Sequence, residues 1–212
     1  MMPSHNSELI AGWKTAAQWL QCRATLQAGA DAATWIKAFN DFFVTRLDSR
    51  YRYPIKVLQD NGTFQGEGFS ILTIQCSLIE YFESSIQGKN YRFARRGQQL
   101  GQWEYSKSQE IYVSFLCTRP PFDSHFDKAL AEDFYQNVRC GLLHEACTKG
   151  SWLVRARDLS DAEAIVDRKQ KIVFRDGFQI ALDKFVDWYR KELAIDAEMQ
   201  HAFIRKFDDL CV

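Results

Sequence analysis

The sequence predicts a mainly α-helical fold, an up-and-down bundle carrying a small β-hairpin insertion. Three observations predict it. Apolar residues recur at three- and four-residue spacing over most of the chain. Capping residues precede those stretches and glycines follow several of them. Only the runs SWLVRARDL and AIVDRKQKIVFRD are rich in β-branched residues with partial alternation. The chain has 212 residues, of which 46% are hydrophobic, enough for a substantial core. One helical domain over 1–212 is expected, with its core over 30–150 and 176–210 and a β-arm over 151–175.

Taken in order, residues 7–28 place Leu9, Ile10, Trp13, Ala17, Leu20 and Leu26 at helical spacing, and Gly29 ends the run. Asp31 then caps DAATWIKAFNDFFVTRLDSR, whose Trp35, Phe39, Phe42, Phe43 and Leu47 form one apolar face. Pro54 is expected to start a short helix, and Asn61-Gly62 marks a turn. A long helix over 67–87 buries Ile71, Leu72, Cys76, Leu78, Ile79 and Phe82, with Glu80 in its middle. A carboxylate on so apolar a helix either faces water or needs a partner.

Residues 88–107 are rich in cations (Lys89, Arg92, Arg95, Arg96) interleaved with Tyr91, Phe93, Trp103 and Tyr105. Charge and ring faces together suit single-stranded RNA, although a solvated basic face is the plainer reading. A short helix is expected over 108–118. Next comes a helix of about 24 residues between Ser124 and Gly150, with a stripe of Phe126, Leu130, Phe134, Val138 and Leu142. After the β-arm, 177–195 and an Asp196-capped segment form the last two helices.

Zero net charge argues against a protein that coats nucleic acid non-specifically, so any RNA contact must be local. No stretch approaches 18 apolar residues and MMPSHNSEL lacks a basic-then-apolar signal, so a cytoplasmic protein without a membrane is expected. Asn61-Gly62-Thr63 matches a glycosylation acceptor that a cytoplasmic chain would not use. The six cysteines form no CxxC pair and read as buried free thiols. HEACT at 144–148 has Thr148 where a zinc protease needs its second histidine. GTFQGEG at 62–68 lacks the flanking βαβ pattern of a nucleotide fingerprint. No metal and no cofactor is expected.

Arginine and histidine remain. Arg139 and His144 lie five apart on the Ser124–Gly150 helix, about 140° from each other and on opposite flanks of the Val138 stripe. Gly141 between them could loosen the last turn. Arg119 and His125 make a second, similar pair, but that one straddles the Pro120-Pro121 break. His125 and His201 read as ordinary, and His5 lies near the terminus.

The run FYQNVRCGLLHEA resembles the Arg-x4–6-His segment of HEPN (higher eukaryotes and prokaryotes nucleotide-binding) domains, and GEGFSILTIQCSLIEYFESSIQG resembles their other long helix. The two runs cover 36 residues. The sequence departs from the family in carrying Cys140 directly after Arg139, where Asn, Asp or His is frequent. The resemblance implies a HEPN-like bundle and a metal-independent endoribonuclease acting as a homodimer. Arg139 and His144 would be catalytic, with Glu80, Asn137 and Cys140 in support and Lys89, Arg92, Arg95 and Arg96 binding RNA. It further implies a toxin or phage-defence effector, with an antitoxin or regulatory protein as a possible second partner. The alternative is a non-catalytic HEPN-like module that binds nucleotide or protein.

Overall fold

A computed structural model describes residues 8–63, 65–95 and 97–211. His5 lies outside the described residues. Seven helical runs and three small sheets occur among them. In chain order these are β1 (Leu9–Ala11), β2 (Lys14–Thr15), α1 (Ala16–Arg23), α2 (residues 32–60), α3 (Glu67–Gln87), β3 (Asn90–Tyr91), β4 (Glu104–Tyr105) and α4 (Ser108–Thr118). There follow α5 (residues 128–145), β5 (Leu153–Arg155), β6 (Val166–Asp167), β7 (Ile172–Phe174), α6 (Arg175–Leu193) and α7 (Ala197–Asp209). The mainly helical class is as predicted. No helix among the described residues is long and apolar enough to cross a membrane.

The chain divides into two compact units, and several helices pass from one to the other. The first contains the N-terminal residues to Pro54, Ser84–Ser106 and the residues from Tyr189 onward. Its centre is aromatic: Trp19, Phe39, Phe42, Phe43, Tyr189, Phe203 and Phe207 pack edge-to-face, tilted or stacked. Burial of each such ring contributes about 1.5–3 kcal/mol. Lys206 is buried here as well, its ammonium donating to Ser84 Oγ at 3.0 Å and to the Lys89 carbonyl at 2.9 Å.

The expected helix over 7–28 is replaced by a β1–β2 hairpin and a shorter helix. Gly12 takes φ +56°, a left-handed turn that ends any helical path, and Trp13 beside it is 88% exposed. A capping box between Thr15 and Gln18 then starts α1, which buries Trp19, a residue off the predicted stripe. Asp31 caps α2 as expected, accepting from the Thr34 amide at 2.8 Å. Pro54 does not begin a new helix. The α2 run passes through it, with a π-helical turn at Asp48–Arg52 just upstream, where the register can absorb the missing proline N–H.

The second unit comprises Ile55–Glu83 and Lys107–Trp188. Its core holds Phe82, Phe115, Phe122, Phe126, Phe134, Phe178 and Phe185, joined by ring contacts of 4.7 to 6.5 Å that also include Tyr112. The predicted β-arm is a three-stranded sheet of order β5-β7-β6. The hairpin is β6–β7, closed where Asp167 accepts from the Lys169 and Gln170 amides, and β5 joins β7 in parallel. All six cysteines are free thiols, but only Cys76 is buried and Cys147 is exposed, which corrects the expectation of burial.

Candidate functional site

The site is built on α5. Its N-cap is Asp127 rather than Ser124: the Asp127 carboxylate accepts from the Leu130 amide at 2.9 Å, whereas Ser124 closes a preceding 3-10 turn. Phe126, Phe134, Val138 and Leu142 are buried as predicted. The helix ends at Glu145, short of Gly150, because Ala146 adopts a left-handed conformation at φ +54°. The chain then doubles back across Gly141, where a Cβ would lie 2.6 Å from the Cys147 carbonyl oxygen. Gly141 therefore admits a close backbone approach rather than loosening the turn.

Arg139 closes a π-helical turn, Tyr135–Arg139. Such turns rotate the residues after them relative to an ideal α-helix and recur at functional positions. Its guanidinium is half-buried, with 18% of the side chain exposed, and stands 3.4 Å from Glu80 Oε2, itself 19% exposed. It lies over the Tyr135 ring at 5.2 Å and 3.8 Å from Cys140 Sγ. Burial works against the Arg139 cation, yet Tyr135, Cys140 and Glu80 together hold its pKa above the ordinary value. Glu80 is fixed in turn by the Ser108 hydroxyl at 2.7 Å, across from α4. Two more polar groups lie near: burial raises the Cys76 thiol to about 12 and pushes Tyr112 well above its usual range, so both stay protonated.

Of the sequence-predicted residues, Glu80 and Cys140 therefore meet Arg139. His144 sits exposed on the last turn of α5 beside exposed Leu143, and its ring makes no hydrogen bond among the described residues. No hydrogen bond or ion pair joins it to Arg139. Asn137 serves the turn instead: its amide donates to Asp133 at 2.8 Å and its carbonyl accepts from the Lys149 amide at 2.8 Å. Asp133 also accepts from Trp152 at 2.8 Å and Lys171 at 3.1 Å. Desolvation raises its pKa, but these three donors outweigh that and hold it below the carboxylate reference value.

Tyr135 and Ser108 were not legible as site residues. Tyr135 stands four before Arg139 and could have been found as an i,i+4 neighbour. Ser108 reaches Glu80 from a distant helix and left no local signal.

The basic segment belongs to the other unit. Arg92 is spent in ion pairs with Glu104 at 3.2 Å and with Asp209, which raise its pKa. The Lys89 carbonyl is held by Lys206. Arg95 is exposed, and Arg96 lies outside the described residues. Phe93 is exposed, Tyr91 packs edge-on against Tyr105, and Arg205 covers the Trp103 ring at 3.8 Å. Among the described residues, no group of three or more His, Cys, Asp or Glu side chains converges to hold a metal ion.

Comparison with family models, with curated proteins and with solved structures finds no match to this chain.

Proposed function

We propose that the chain is a metal-independent endoribonuclease of the HEPN kind, working as a homodimer, as a toxin or phage-defence effector. One observation carries the reading: a guanidinium held half-buried by Glu80 and Tyr135, with an unbonded, exposed imidazole on the next turns of the same helix. The fork of Arg139 offers two parallel donors to phosphate oxygens. His144 takes the proton from a ribose 2′-OH, and the freed oxygen attacks the adjacent phosphorus. The P–O5′ bond breaks, and the partner subunit's His144 gives its proton to the departing oxygen. The products are a 2′,3′-cyclic phosphate and a 5′-hydroxyl. A single exposed imidazole per chain cannot be base and acid at once, which is why two copies of α5 must share a cleft.

A second reading is favoured by one specific likeness. One turn beyond Glu80 on α3, fully buried Glu83 takes Arg119 at 2.7 and 3.1 Å and the Ser114 hydroxyl at 2.8 Å. That is the same serine-plus-arginine arrangement, in a purely structural place. On this reading Arg139 is a second brace and the protein a non-catalytic nucleotide- or protein-binding module.

Incubation of the purified chain with single-stranded RNA in EDTA separates them. The enzyme reading expects cleavage that survives the chelator and falls at least about 100-fold in His144→Ala. Intact RNA across varied substrates supports the module.

A further inference from the structure

Arg175, the first residue of α6, combines deep burial with a charge that its neighbours satisfy poorly. It is 6% exposed, yet its guanidinium makes no hydrogen bond among the described residues, and Nε is wholly enclosed without a partner. Its nearest carboxylates, Glu67 at 3.7 Å and Asp176 at 3.6 Å, stand beyond hydrogen-bond reach. Both are engaged elsewhere: Asp176 accepts from Gln59 at 3.1 Å, and Glu67 from the Gln65 amide at 3.0 Å. Position compounds the cost. Arg175 opens a helix, where the macrodipole disfavours a cation. A guanidinium this buried, held only by two long ion pairs and with its Nε donor unused, is expected to have a further partner that comes and goes.

The backbone allows Arg175 no escape from this setting. The strand β7 runs directly into α6, the Arg175 carbonyl accepts from Gln75 at 2.8 Å, and the next amide donates to the Ala156 carbonyl at 2.9 Å. The side chain consequently lines a cavity of about 400 Å³ bounded by Gly66, Glu67, Gly68, Phe69, Val154 and Arg155. That wall contains the N-terminus of the 21-residue helix α3, where the Phe69 amide donates to the Gly66 carbonyl at 3.0 Å and the helix dipole favours an anion. Gly68 faces the guanidinium closely, since a Cβ there would lie 3.6 Å from Arg175 Nη1. Arg155 adds an exposed cation at the rim, and Phe69 and Val154 supply an apolar side.

We infer that this cavity binds the phosphate of a phosphomonoester, with Arg175 as its buried anchor. Two charges and three terminal oxygens match a guanidinium fork, the positive end of a helix dipole and a second arginine. The apolar side takes the ester's organic part. The site uses neither Arg139 nor His144, so it stands whether or not the chain cleaves RNA.

Calorimetric titration and thermal melting of the whole chain test the assignment, with adenosine monophosphate, phenyl phosphate and inorganic phosphate as probes. Both esters should raise the melting temperature saturably, and inorganic phosphate should bind more weakly than either. Arg175→Met should weaken ester binding about 10- to 100-fold while melting no lower than the parent, because it removes a buried charge that has no hydrogen bond. Arg155→Ala, an exposed change, should weaken binding several-fold. The assignment is overturned if neither ester binds at millimolar concentration, or if inorganic phosphate matches the esters. It also fails if binding persists in Arg175→Met or is untouched in Arg155→Ala. A marked loss of stability in Arg175→Met would make the guanidinium a structural partner of Glu67 and Asp176 instead.

Discussion

Glu80 and Glu83 sit one turn apart on α3, each holding an arginine and a serine, and the contrast between them separates chemistry from bracing. Glu83 is fully buried and grips Arg119 with two charge-assisted hydrogen bonds. Glu83→Gln should therefore cost about 3 kcal/mol by chemical denaturation, since the half-buried Arg119 guanidinium loses a buried counter-charge to which it makes two hydrogen bonds. Glu80 meets Arg139 at a longer 3.4 Å in a partly exposed place, so Glu80→Gln should cost only about 1–2 kcal/mol. Its larger effect should fall on cleavage, chiefly in kcat, because the fork is released from its aim. Equal stability losses with activity intact would make both arginines braces. Asp133 belongs to the same scale. Its pKa lies below the reference of 3.8, so the stability it contributes is full above that pH and lost as pH falls below it. Acid unfolding followed by circular dichroism should show Asp133→Asn weakening the protein at neutral pH by about 1–3 kcal/mol, with the gap to the parent closing below about pH 3.8.

The ends of α5 set where His144 points. Ala146 occupies a left-handed position that costs an alanine about 1 kcal/mol, so Ala146→Gly should stabilise by up to about 1 kcal/mol. Gly141→Ala should destabilise by about 1–3 kcal/mol, because a Cβ there meets the Cys147 carbonyl, a backbone atom that cannot swing aside. Thermal melts of the two variants should move in opposite directions; parallel shifts would refute this account of the turn. Much of the helical pattern was legible where cap and stripe agreed. Asp31 and Asp196 cap as read, and α3 and α4 keep their expected bounds. It failed where a local backbone choice overrode periodicity. Gly12 turns the chain before α1 can begin, and Asp127 out-competes Ser124 as the cap of α5. The left-handed Ala146 carries no signal in its residue type. The Glu80–Arg139 pair was only half legible: a carboxylate on so apolar a helix either faces water or needs a partner, and only the resemblance set Glu80 in support of Arg139. The buried solitude of Arg175 was not legible, since only the meeting of β7, α6 and α3 encloses it.

For the molecule as a whole, the account requires a second copy. Each chain places one unbonded imidazole at the exposed end of α5, with exposed Leu143 beside it, and the chemistry calls for two proton carriers. The most direct measurement pairs a ribonucleotide strand with its twin carrying a 2′-deoxy sugar at the cleaved position, both incubated with the chain in EDTA. The account predicts that the ribonucleotide strand is cut to a 2′,3′-cyclic phosphate while its twin stays whole at that position, and that His144→Ala cuts neither. Equal cutting of both strands, or no cutting of either by the unaltered chain, would contradict it.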